Sequence, residues 1–279
     1  MLANQNQLEL LARLGYAARG VVSLLVGLLA LLAALGQGGG DTTGSKGALR
    51  TLFSQPLGLG LLGAMALGLF GFAIWRWLQS VLDADGLGRS WRAIGKRAGQ
   101  FISGVAYASL GVFAIGLIIG SASGSAEDQA ARDWTRWLMT QPFGRWLVGA
   151  VGLGFAAAAL GMAGKAWSGS FMQRLSCGPD AAPWVIRLGR AGFAARAVVF
   201  LIIGGFLMLA AYQSDPSEAR GLGGALLALQ EQPFGWALFG LVALGFAAFG
   251  VFEFAEARYR RIAAPSGSEA AADMVSRLT

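Results

Sequence analysis

The chain has no histidine and only one cysteine, Cys177. The first absence excludes His-ligated haem, His-ligated zinc and a Ser-His-Asp triad. The second excludes an intrachain disulfide and a multi-cysteine metal site. Charge is also scarce. Asp, Glu, Lys and Arg make up 13% of the 279 residues, about half the share of an ordinary soluble domain. The middle of each apolar run lacks the carboxylate relay that a proton pump needs.

Apolar sequence fills the space. Hydrophobic residues account for 55% of the chain and glycine for 43 positions. They gather in six runs, at 16–35, 57–77, 101–120, 143–163, 193–212 and 234–254. Each matches the roughly 20 residues that a helix needs to cross a bilayer. None shows the alternation of a barrel strand, and helices satisfy their own backbone hydrogen bonds in lipid. The expectation is an all-α, polytopic membrane protein with six transmembrane helices.

The net charge of +7 is unevenly placed. Sixteen of the 22 Lys and Arg residues fall in the termini, the loops at 78–100 and 164–192, and the adjoining helix ends. The positive-inside rule puts that side, with both termini, in the cytoplasm. Anionic lipid headgroups are then the expected partners of the basic surface. The same rule accounts for the high pI without nucleic acid, and no nucleic-acid partner is expected.

The chain repeats itself three times. The stretches "SQPLG", "TQPFG" and "EQPFG" place Pro56, Pro142 and Pro233 in register. Gly63, Gly149 and Gly240 then coincide, as do Gly68, Gly154 and Gly245. Upstream, "RLGYAARGVVSLLVG" at 13–27 aligns with "RAGQFISGVAYASLG" at 97–111 and "RAGFAARAVVFLIIG" at 190–204. Arg13, Arg97 and Arg190 coincide, and so do Gly27, Gly111 and Gly204. Each unit holds two helices, so the three units cross in the same sense and are parallel repeats about an axis normal to the membrane. The expected architecture is pseudo-threefold. Repeat 1 occupies 10–82, repeat 2 occupies 93–170 and repeat 3 occupies 184–262, with cytoplasmic ends at 1–9 and 263–279. The first apolar run is the counterpart of the third and fifth, and reads as a retained span rather than a cleaved signal.

A short amphipathic stretch precedes each Gln-Pro and suits the outer interface. Proline is favoured in the first turn of a helix, so Pro56, Pro142 and Pro233 read as marking where the chain turns and dives. A sharper alternative has Gln55, Gln141 and Gln232 converging on the axis as a polar ring at a pore mouth. The aligned glycines read as packing positions, since helices in lipid associate through close approach at small residues.

Charges at depth are functional candidates. Arg76, Met162 and Glu253 occupy equivalent positions, as do Gln79, Lys165 and Glu256, and as do Arg19, Ser103 and Arg196. One reading is a network on the cytoplasmic side in which Glu253 pairs with Arg76 or Arg196 across repeat boundaries, locking the bundle or binding an anion. The plainer reading is snorkelling of long cationic side chains to the headgroups. The Gly-rich stretch at 36–48 has the wrong spacing for a phosphate loop and reads as a flexible loop. No cofactor is expected.

The thrice-written Arg-x-Gly first helix and the Gln-Pro-x-Gly second helix resemble the bacterial membrane proteins grouped as domain of unknown function family 1206. The resemblance spans about residues 10–262 and is closest in repeats 1 and 3. Repeat 2 departs, with Ser103 in place of the helix arginine. The resemblance implies three tandem two-helix repeats, a bacterial origin and an inner-membrane address. It implies no activity. The expected role is that of a structural or accessory membrane protein, not an enzyme, packing against lipids, a protein partner or further copies of itself. The alternative is a small channel or transporter with a path along the pseudo-threefold axis.

Overall fold

The computed structural model describes the backbone of residues 2–35, 45–54, 56–83, 86–88, 90–121 and 127–260. Among the described residues nine α-helices run long, short, long, three times over. The long ones are α1 (Leu2–Ala34), α3 (Gly58–Val81), α4 (Trp91–Ile118), α6 (Gly144–Ser168), α7 (Ala182–Gln213) and α9 (Gly235–Tyr259). All six carry stretches long and apolar enough to cross a membrane. The protein is a multi-pass membrane protein of three two-helix repeats. The short helices α2 (Ser45–Phe53), α5 (Glu127–Met139) and α8 (Leu222–Gln230) join the two long helices of each repeat.

Local chemistry sets several helix ends. Ser90 caps α4, its Oγ accepting from the Ala93 amide at 3.2 Å, and Pro183 sits in the first turn of α7. Gly169 closes α6 in the left-handed conformation, as helix ends commonly do. The Gln-Pro motif works differently from its sequence reading. The prolines lie in a tight turn ahead of the helix, not in its first turn. The residues after them, Leu57, Phe143 and Phe234, take positive φ of 67°, 59° and 60°. The helix starts at the following glycine. A Cβ on Gly58, Gly144 or Gly235 would collide with carbonyls of the preceding short helix, so no larger residue fits the motif's last position.

The long helices pack in the spatial order α4, α3, α1, α9, α7, α6. The tightest pairs cross repeat boundaries: α9 on α1, α3 on α4, and α6 on α7. These three are equivalent under the repeat. Within repeats, α1 packs on α3 and α7 packs on α9, but α4 and α6 form no matching interface. The ring is therefore interrupted at one seam, inside repeat 2.

The residues at that seam explain the break. In repeat 1, Gly68 seats on Ala18 and Gly15 seats on Phe72; in repeat 3, Gly245 seats on Ala195 and Gly192 on Phe249. Repeat 2 keeps the glycines, Gly154 and Gly99, but replaces the alanine by Ile102 and the phenylalanine by Ala158. The isoleucine is too large for a glycine to seat on as it does on alanine, and the alanine leaves the other glycine with nothing to seat on. Gly99 and Gly154 both face open space. The spans of α4 and α6 are each 17% buried, against 39–56% for the other four.

One apolar cluster fills the body. Val22, Val26 and Ala30 of α1 meet Leu62 and Leu69 of α3, Val199 and Ile203 of α7, and Phe239 and Phe246 of α9. Ala48 and Leu49 of α2 and Ala225 and Leu226 of α8 are fully buried in the same cluster. The short helices thus close one end of the bundle. Asp128 of α5 ties that end together by accepting from the amides of Gly221 and Gly224 at 2.7 and 3.1 Å, which also caps α8.

Candidate functional site

Polar chemistry is concentrated at the other end, where α1 begins and α9 ends. Glu253 of α9 is fully buried and lies between two arginines. Its Oε1 pairs with Arg19 of α1 and, at 3.5 Å, with Nη1 of Arg196 of α7. The anticipated partner Arg196 belongs to the same repeat as Glu253, and the pair that crosses a repeat boundary is instead the one with Arg19, because α9 packs between α1 and α7. Arg76 does not reach Glu253. It donates to Gln79 Oε1 at 3.1 Å on its own helix.

Glu256, one turn along α9, accepts from Arg260 Nη1 at 2.8 Å. Lys165 of α6 makes no ion pair among the described residues, and its ammonium lies 5.5 Å from the centroid of the Phe193 ring. That ring packs on Phe249 at 5.2 Å, and Phe249 in turn faces Arg19 and Arg196. The six residues singled out from sequence, Arg19, Arg76, Lys165, Arg196, Glu253 and Glu256, thus surround one region, contributed by α1, α3, α6, α7 and α9.

Aromatic faces line it. The Arg19 guanidinium stands 5.1 Å from the Phe72 ring, 5.7 Å from Tyr107 and 5.4 Å from Phe249. Arg196 stands 4.6 Å from Phe249, and Arg76 stands 5.9 Å from Phe72. Tyr16 packs edge-on against Phe72 at 5.1 Å and receives Arg260 at 4.9 Å. Cation–π contacts of this kind partly replace lost hydration. They do not neutralise charge. Five cations here, counting Arg260, face two carboxylates, so the region keeps a positive surplus in a low-dielectric setting where it acts strongly on an anion.

The repeated arginines ahead of these residues have a separate task. Arg13 donates to the carbonyls of Ala257 and Arg258 at 2.6 and 2.7 Å. Arg97 donates to Ser80 and Val81 at 2.7 and 3.0 Å, and Arg190 donates to Trp167 at 3.3 Å. Val81, Trp167 and Arg258 are equivalent positions. Each arginine therefore caps the C-terminus of the long helix across its repeat boundary, satisfying carbonyls that the helix leaves unpaired. Sequence alignment found the three arginines but not the role, whose acceptors lie in another repeat.

The turn glutamines form no polar ring among the described residues. Gln141 bonds Thr140 at 3.3 Å and Gln232 bonds the Ala228 carbonyl at 3.3 Å, both at exposed, sequence-local sites. Gln55 lies outside the described residues. The glycines divide into three sets. Gly27, Gly111 and Gly204 meet Ala247, Phe70 and Gly152 across the boundary pairs. Gly68 and Gly245 pack within their repeats, where Gly154 does not. Gly63 touches nothing, while Gly149 and Gly240 are only in ordinary contact range of Ala211 and Ala34.

The sequence profile described as Domain of Unknown Function (DUF1206) matches this chain three times, at residues 14–83, 98–169 and 191–260. The chain belongs to this family. A relative is found in Bacillus subtilis strain 168, where the uncharacterized protein YxxB is 35% identical over 253 residues, covering 90% of each chain. No solved structure matches. Each DUF1206 match begins one residue after a capping arginine, so these arginines stand at the boundaries between matched units, where their bonds tie one unit to the next.

Proposed function

We propose that this DUF1206 protein is a structural or accessory component of a bacterial plasma membrane, without catalytic activity, that works by packing against lipids or another membrane protein. One observation carries the reading. Among the described residues, the space shared by α1, α3, α7 and α9 is filled by apolar side chains and closed at one end by buried leucines of α2 and α8, which favours packing over a solute path. The charge cluster is confined to the other end, where it suits holding helices and binding headgroups rather than conduction.

The orientation proposed has both termini in the cytoplasm. It is supported by the sixteen-to-six division of the 22 basic residues between the two sides. The partners proposed are anionic lipids on that side and a protein partner or further copies of the chain.

The test is extraction into native lipid discs followed by intact-complex mass spectrometry, with flux measurements on purified protein in liposomes. The accessory reading expects a stoichiometric partner or tightly held lipid, and no flux above empty vesicles. Sustained, protein-dependent flux of ions or small anions would overturn it in favour of transport.

A further inference from the structure

The interrupted seam and the charge cluster share one face of α6, and their chemistries are complementary. The seam is lined by Gly99 and Ile102 on α4 and by Gly154 and Ala158 on α6, all exposed. Two turns beyond Ala158, on the same face of α6, stands Lys165. Lys165 and Arg76 are the two cations of the cluster with no carboxylate partner among the described residues. The Nε of Arg76 is buried and has no acceptor among the described residues. The available carboxylates are committed: Glu253 to Arg19 and Arg196, and Glu256 to Arg260.

We propose that the opening between α4 and α6 holds one anionic phospholipid, its phosphate on Lys165 and Arg76 and an acyl chain against Gly99, Ile102, Gly154 and Ala158. This deepens the accessory reading by naming the chemistry of its ligand. A phosphate supplies the charge that the cluster lacks, in a setting where lone cations are costly. An acyl chain fills an apolar cleft that opens sideways along the spans, which a soluble anion would leave unfilled. The repeat itself is the control. The two seams that keep alanine and phenylalanine, at Ala18 and Phe72 and at Ala195 and Phe249, are closed by protein. The altered seam is also the one flanked by an unpaired lysine, where repeat 1 has Gln79 and repeat 3 has Glu256.

The experiment is intact-mass spectrometry of the purified full chain in detergent, titrated with a phosphatidylglycerol and with the phosphatidylcholine bearing the same tails. One phosphatidylglycerol should be retained in preference to phosphatidylcholine, by roughly thirtyfold for two contacting cations. Lys165→Gln with Arg76→Gln should abolish the preference. Lys165→Gln alone, at an exposed position that does not threaten folding, should weaken it, and Lys165→Arg should keep it. Ile102→Ala with Ala158→Phe rebuilds the seam of the other repeats and should expel the lipid with every charge in place. Equal retention of the two lipids, or retention unaffected by rebuilding the seam, would overturn the proposal. So would displacement by millimolar inorganic phosphate, which would make this a soluble-anion site, or a dimer that the seam variant dissociates, which would make the occupant a second copy. Flux is read separately, so conduction would count against the accessory reading without touching this one.

Discussion

Arg97 and Ser80 are bonded in both directions. The Nε of Arg97 donates to the Ser80 carbonyl at 2.7 Å, and Ser80 Oγ donates to the Arg97 carbonyl at 2.8 Å. This joins the end of α3 to the start of α4 across a repeat boundary. A cation at a helix C-terminus also meets the negative end of the helix dipole. Arg97→Ala should therefore destabilise the protein by about 1–2 kcal/mol, read as an earlier tryptophan-fluorescence melt in lipid discs. Arg97→Lys should recover only part of the loss, because one ammonium cannot span the two carbonyls as the guanidinium fork does. An unchanged melt for Arg97→Ala would remove the capping role.

Glu253 holds two guanidiniums, so its removal exposes both. Glu253→Gln leaves Arg19 and Arg196 uncompensated at a buried site, and breaking a buried pair costs roughly 3–5 kcal/mol. The expected outcome is a large fall in melting temperature. Adding Arg196→Gln should then restore part of it, since the second change removes one of the stranded charges. If the double variant is as unstable as the sum of its two single variants, the coupling between α7 and α9 through this carboxylate is not real.

Repetition made much of this architecture legible before any coordinates. The register of Pro56, Pro142 and Pro233 and of the aligned glycines identifies two-helix units, and apolar length identifies spans. What stayed hidden depends on which surfaces meet. Arg19 stood in the aligned set, but only the closure of α9 onto α1 brings residue 253 beside it. The left-handed turn at Leu57, Phe143 and Phe234 was missed because nothing in a leucine or phenylalanine announces positive φ. The break in repeat 2 lies at Ile102 and Ala158, which pass for ordinary apolar residues until Ala18 and Phe72 are seen to face glycines.

The turn glycines and the mid-helix glycines should respond oppositely to one methyl group. Gly144→Ala forces a Cβ against the Leu138 carbonyl and the Met139 backbone, at 2.5–2.6 Å, and should cost about 1–3 kcal/mol by overpacking. Gly63→Ala meets nothing and should be neutral, or stabilise by up to about 1 kcal/mol through helix propensity. Thermal melts of the two variants side by side decide this, and equal losses would contradict the crowding seen at the turn.

Cys177 reports both sidedness and burial. It lies between α6 and α7, outside the spans, and burial pushes its thiol above the ordinary range. Less thiolate is therefore present at neutral pH than for a free cysteine, and maleimide labelling should be slow there and quicken as pH rises. With no second cysteine to compete, a membrane-impermeant maleimide should label inverted vesicles and spare intact cells. Labelling of intact cells would reverse the proposed orientation.

Gly245 and Gly154 are the same residue of the repeat in two environments. A Cβ on Gly245 would collide with that of Ala195, whereas one on Gly154 meets nothing. Gly245→Ala should thus separate α7 from α9 and cost about 1–3 kcal/mol, while Gly154→Ala should be tolerated. The comparison cancels helix propensity and membrane context, which the two sites share, so the difference between the melts measures the seam alone. In an Ile102→Ala, Ala158→Phe background α4 can close on α6, and Gly154→Ala should then become as costly as Gly245→Ala. A Gly154→Ala variant that is already destabilised in the native background would mean that α4 and α6 pack together as the other two pairs do, and the opening would not exist.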